Sequence, residues 1–98
     1  MFRGTTPTLI LKVPIDTSLI SKAYITFKQK GRTRLEKELK DCTCEENQLV
    51  VPLTQADTLL LDASECELQL RTKLRTQQVF ASKPKKISIS DIFKDGEI

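Results

Sequence analysis

Histidine and tryptophan are absent from this 98-residue chain, and glycine occurs only three times. Without histidine the commonest general base and metal ligand is missing. No GxxxxGK segment occurs, which excludes a P-loop nucleotide site. The longest apolar runs, such as Leu9-Ile10-Leu11 and Leu59-Leu60-Leu61, are far shorter than the roughly 18 residues of a membrane-spanning helix. The opening Met1–Thr8 lacks the apolar stretch of a secretion signal, so the chain is expected to mature in the cytoplasm, away from membranes. Aromatics are scarce too, with one tyrosine and four phenylalanines.

Cysteine is present in an odd number, as Cys42, Cys44 and Cys66. An odd count leaves one thiol over in any internal pairing, and reduced, partly buried thiols are expected. A structural zinc site wants four ligands, which three thiols without histidine do not supply. No metal or cofactor is expected.

Charge is uneven along the chain. The total is +3, but residues 1–40 carry nine basic and three acidic groups, 41–67 carry seven acidic and no basic ones, and 68–98 carry seven basic and three acidic. Such blocks bring neighbouring strands together with opposite signs, or form complementary patches between copies, or lie on an ordinary solvated surface.

Alternation with a period of two dominates the chain. Over Thr8–Val13, Leu9, Leu11 and Val13 share one side, and Pro14 ends the strand or places it at an edge. Ile15, Leu19 and Ile20 follow and are expected to plug one end of a core. Over Lys22–Gln29, Ala23, Ile25 and Phe27 face away from Tyr24, Thr26 and Lys28. Lys30-Gly31-Arg32 predicts a hairpin turn, with Gly31 supplying positive φ. In the return strand, Thr33–Leu39, Lys37 falls on the inward face with Leu35 and Leu39. An inward charge protects an edge strand from pairing with strangers, so an edge position is predicted. A short strand at Cys42–Cys44 and a turn at Glu46-Asn47 precede Gln48–Leu53, whose Leu49, Val51 and Leu53 share a face.

The period then changes. Thr54-Gln55-Ala56-Asp57 fits a capping box and predicts a helix of one or two turns ending near Leu61. Glu65–Arg75 gives the longest alternation. Cys66, Leu68, Leu70, Thr72 and Leu74 oppose Glu67, Gln69, Arg71, Lys73 and Arg75, as in a central strand. Thr76-Gln77-Gln78 turns the chain. A last strand over Val79–Lys83 and Lys86–Ile89 is interrupted at Pro84. Ser90-Asp91 is expected to cap a final turn through Ile92-Phe93, and residues 95–98 to fray. Six or seven short strands with one helical turn read as an all-β, immunoglobulin-like antiparallel sandwich formed by residues 1–98 as a single domain. A small closed barrel is the alternative.

Catalytic chemistry finds little support. Cysteine and serine have no histidine to activate them. Glu36 with Glu38, and Glu45 with Glu46, read as solvated charge. Arg71, Lys73 and Arg75 form a basic row, followed by Lys83, Lys85 and Lys86, which suits phosphates. No aromatic clearly lies in that row, and the acidic block opposes a polyanion, so nucleic acid is disfavoured as a partner. A non-enzymatic interaction module is favoured, with Arg71, Lys73, Arg75 and Lys37 as its candidate contact residues.

Arg3-Gly4-Thr5-Thr6-Pro7-Thr8, Pro14-Ile15-Asp16-Thr17-Ser18-Leu19-Ile20, Tyr24-Ile25-Thr26-Phe27, Lys30-Gly31, Leu53-Thr54-Gln55-Ala56-Asp57-Thr58, Leu68-Gln69-Leu70-Arg71 and Ala81-Ser82 span most of the chain. Together they resemble small phage and prophage proteins of Gram-positive bacteria. The pattern is similar to the amino-terminal sandwich of baseplate upper proteins. The resemblance implies a virion or tail-assembly role, and it carries over no catalytic residue. With no fibre or receptor-binding head in these residues, an adaptor or assembly role is the expectation. The implied partners are other phage structural proteins or further copies of the chain. The implied place is the host bacterial cytoplasm during assembly and, for a virion component, the tail. An intracellular binding module, either for nucleic acid or as an assembly helper, is the alternative.

Overall fold

Side chains that alternate in sequence lie on opposite sides of a pleated strand, and two sheets of such strands bury their apolar faces against each other. A computed structural model describes all residues from Met1 to Ile98. Its strands are β1 (Thr8–Lys12), β2 (Ile20–Gln29), β3 (Arg32–Glu38), β4 (Thr43–Glu45), β5 (Gln48–Pro52), β6 (Glu65–Leu74), β7 (Val79–Ala81) and β8 (Lys85–Ser88). One helix, α1 (Gln55–Leu59), links β5 to β6. The strands form two antiparallel sheets, a small one in the order β1-β5-β4 and a large one in the order β3-β2-β6-β7. The expected all-β sandwich is present. No helix is long and apolar enough to cross a membrane.

Strands β2 and β6 are the long central pair, with Ile25 opposite Leu70 and Phe27 opposite Leu68. Their inward rows meet Leu49, Val51 and Leu53 from the small sheet in one core of 15 buried apolar residues. Strand β3 is an edge, as its inward Lys37 predicts. The hairpin between β2 and β3 is tighter than the sequence suggests. Only Lys30 and Gly31 form the loop, both at positive φ (51° and 76°), and Arg32 already pairs with Gln29. That shape matches the right-handed twist of the strands it joins.

The last expected strand is two strands. β7 pairs with β6 over Arg71–Lys73 and β8 over Glu65–Leu68, which raises the total to eight. Ser82 fills the gap between them. Its N–H donates to Leu70 O (2.8 Å), and its hydroxyl accepts from Leu70 N–H (3.0 Å). Pro84, which has no N–H to give, sits outside both ladders.

Three expectations fail locally. Leu19 is exposed, and Thr17 is buried with Ile20 at that end of the core instead. Residues after Ser90 form no helical turn. There the Asp91 carboxylate accepts from Ile92 N–H and from Arg3 Nη1 (3.1 Å). Ile98 is pinned rather than frayed, because the Gln55 side-chain amide donates to its carbonyl and accepts from its N–H. Residues 1–3 run beside this segment, with Arg3 N–H on Ser90 O and Ser90 N–H on Met1 O. Gly4 makes that path possible. Its φ is +68°, and a Cβ there would stand 2.8 Å from Ile92 Cδ1.

The register gives a paired prediction. Leu70 is 8% exposed and borders an open cleft, so Leu70→Ala is expected to cost about 2 kcal/mol, the low end for a core leucine. Arg71→Ala, on the opposite face, is expected to cost less than about 1 kcal/mol. Urea midpoints of the two variants check this, and equal losses would contradict the facing.

Candidate functional site

The outer face of β6 carries Glu65, Glu67, Gln69, Arg71 and Lys73, because the alternate residues are committed to the core. Arg75 continues that row just beyond the strand. The register then adds what one strand's sequence does not contain. Tyr24 lies directly opposite Arg71, and Lys22 opposite Lys73. Paired positions on one face are about 5 Å apart. An exposed tyrosine therefore stands beside Arg71, with Lys22 and Lys73 two residues further along and Arg75 at the end of the row, and none of these four cations forms an ion pair. Arg75 is held in place by its Nε–H, which donates to Ser18 O (3.0 Å). Acidic groups flank the patch. Glu38 is opposite Tyr24 on β3, and Glu67 is further along β6.

Lys37 belongs elsewhere. Its Nζ lies 2.7 Å from Asp57 Oδ2, with the two side chains only 15% and 14% exposed. The cation is committed to fixing β3 against α1, and the structure does not bring it to the other three candidate residues. The charge blocks act in the same way. Arg34–Asp62, Lys37–Asp57 and Lys86–Glu65 each join the acidic middle of the chain to a basic flank.

A second surface lies where the two sheets part. β1 is an edge of the small sheet. Val13 N–H donates to Asn47 O and Leu53 N–H to Pro7 O, so odd-numbered residues of that ladder bond β5. The N–H and C=O groups of Thr8, Ile10 and Lys12 therefore point outward. In the β7 ladder, Leu74 N–H donates to Gln78 O and Ser82 N–H to Leu70 O, which turns those of Val79 and Ala81 outward. The seam between these two free edges holds adjoining clefts of about 400 and 260 Å³. Leu11, Val13, Ile15, Leu68, Leu70 and the half-exposed Phe80 give it an apolar lining. Lys12, Lys83 and Lys85 also line it, exposed and without ion pairs.

No known protein family, curated protein or solved structure matches the chain. Its chemistry is therefore read from its own groups. The three cysteines are free thiols. Cys66 is buried in the core, and burial, then the nearby Glu67, pushes its thiol up. Burial, followed by the charges of Cys44 and Asp41 and against the pull of Lys37, pushes Cys42 up to about 11. Both are held as thiols, the unreactive form. No serine or cysteine side chain hydrogen-bonds to a lysine or carboxylate side chain. No three Cys, Asp or Glu side chains converge on a metal-sized site. What this arrangement offers is contact: an apolar seam with free backbone groups, and a cationic patch around one tyrosine. The seam was hidden in the sequence because β7 is three residues long, too short to show a period.

Proposed function

We propose that this chain is a non-enzymatic phage or prophage structural protein that acts through protein–protein contacts in tail or baseplate assembly. The seam between β1 and β7 carries the reading. Two unpaired edges beside an apolar cleft suit a partner that adds an extended segment and sets alternate side chains into the cleft. The phage context rests on the resemblance of its short motifs to small phage and prophage proteins. The chain works in the host bacterial cytoplasm while particles are built, and stays in the tail if it becomes part of them. Quantitative mass spectrometry of particles from the source phage or induced prophage tests the reading. A fixed ratio to the tail proteins supports it. Absence from particles, with the chain abundant in the lysate, removes the structural role.

One observation favours a second reading, an intracellular module that binds nucleic acid. Tyr24 beside Arg71, in a row that continues through Lys22, Lys73 and Arg75, combines a stacking ring with phosphate-neutralising charge. A gel shift that weakens steeply as salt rises would support it, and no shift at low salt would remove it.

A further inference from the structure

We infer that copies of this chain join head to tail, with the Ile92–Ile98 segment of one copy seated on the β1–β7 seam of the next. The inference rests on the protein–protein reading and names the partner. Two unmet halves on one chain point to it. Phe93 is fully exposed and Ile98 nearly so, an unusual cost for large apolar side chains. The seam has the opposite deficiency, an apolar lining open to water. Charge matches as well. Residues 91–98 carry three acidic groups and one basic, and the seam carries Lys12, Lys83 and Lys85. Asp91 and Asp95 lean on Arg3, while Glu97 has no ion-pair partner.

The segment does not serve its own seam. It departs from Ser90, beside Phe2, past the far end of β8. The Thr72–Phe80 end of the seam lies seven residues along β6 from Glu65, about 23 Å at strand rise. Reaching it would require the chain to double back over β8 and to release the Gln55 clasp on Ile98. A seam-to-seam dimer is disfavoured for a different reason. It would set the lysines of both copies against each other. A contact between two different surfaces of the same molecule leaves one of each free, so it continues into rings or filaments. In this contact Phe93 enters the cleft beside Phe80 and Val13. Glu97, the carboxylate of the segment without an ion-pair partner, meets the lysines.

Sedimentation velocity of the full chain at low salt, from micromolar to millimolar, tests this. The weight-average mass is expected to rise past that of a dimer, and added salt to lower it. Phe93→Asp and Phe80→Asp alter exposed positions, and circular dichroism confirms that each variant is folded. Each alone is expected to associate at least about tenfold more weakly. Mixed in equal amounts they are expected to form dimers and nothing larger, since each retains the half the other lost. A wild type that stays monomeric at millimolar concentration, or a mixture that forms no dimer, would overturn the inference. A monomeric wild type still found in fixed ratio with tail proteins leaves the protein–protein reading standing. Self-association of a chain absent from particles does the reverse.

Discussion

Phe27→Ala is expected to remove about 3–5 kcal/mol of folding stability. Phe27 is the largest of the fully buried side chains and lies mid-strand in β2, paired with Leu35 on one side and Leu68 on the other. Truncation there opens a void inside a close-packed core held on paired strands, which collapse into it only in part. A domain of this length is ordinarily stable by about 5–15 kcal/mol. The variant therefore sits near the edge of folding. Phe93→Ala, at a fully exposed position, is expected to change stability by no more than about 0.5 kcal/mol. Urea midpoints with unchanged slopes measure both. A small loss at Phe27 would mean that the core is centred elsewhere.

Asp57→Ala is expected to cost about 3 kcal/mol, because one carboxylate does three things. It pairs with Lys37 at 2.7 Å, accepts from Thr54 N–H at 2.9 Å, and places negative charge at the start of α1. Its removal breaks the reciprocal half of the capping box, leaving only the Thr54 hydroxyl to cap a five-residue helix, and strands a largely buried ammonium group. Lys37→Met keeps similar bulk and leaves the Asp57 carboxylate its bond from Thr54 N–H, so a smaller loss, about 2 kcal/mol, is expected. Acid acts on the same group. Burial alone would raise the Asp57 carboxyl, but hydrogen bonds from Lys37 and Thr54, with the lysine charge, hold it below the usual carboxylate range. A carboxyl lowered by folding stabilises the fold above its unfolded pKa, about 4, and that contribution fades as pH falls through the folded value. Urea midpoints at neutral and acidic pH should therefore fall less for Asp57→Ala than for the wild type.

The elements that read correctly from sequence are those with long alternating rows. Leu49-Val51-Leu53 and Cys66 through Leu74 needed only the parity of their own strands. Local chemistry was equally readable at Thr54 and Asp57, where three-residue spacing closes a box. What escaped depends on partners distant in sequence. Gln29 continues the inward row of Ala23, Ile25 and Phe27, yet it is polar. Its burial makes sense only with Asp62 present, whose N–H and C=O its amide clasps at 2.8 Å each. Arg34 looks like surface charge until the bulge opposite Phe27 and Lys28 turns it toward Leu60 and Asp62. The cationic patch shows the same limit. Arg71, Lys73 and Arg75 were visible as a row, while Tyr24 joined them only through the pairing of β2 with β6. From sequence, Lys37 reads as an edge guard and a contact residue. The edge position holds, but its charge is spent within the fold.

The meeting of residues 1–3 with residues 88–90 has a kinetic consequence. The β2–β3, β4–β5 and β6–β7 hairpins close over a few residues each, whereas Met1 reaches Ser88 across 87 positions of chain. Short loops close first because the entropy lost on closure grows with loop length. On that ground the hairpins are expected to form early, β2 then to find β6, and the strip at Met1–Arg3 to dock last. Substitutions in that strip should leave the refolding rate nearly untouched and quicken unfolding, as expected for contacts made after the barrier has been crossed.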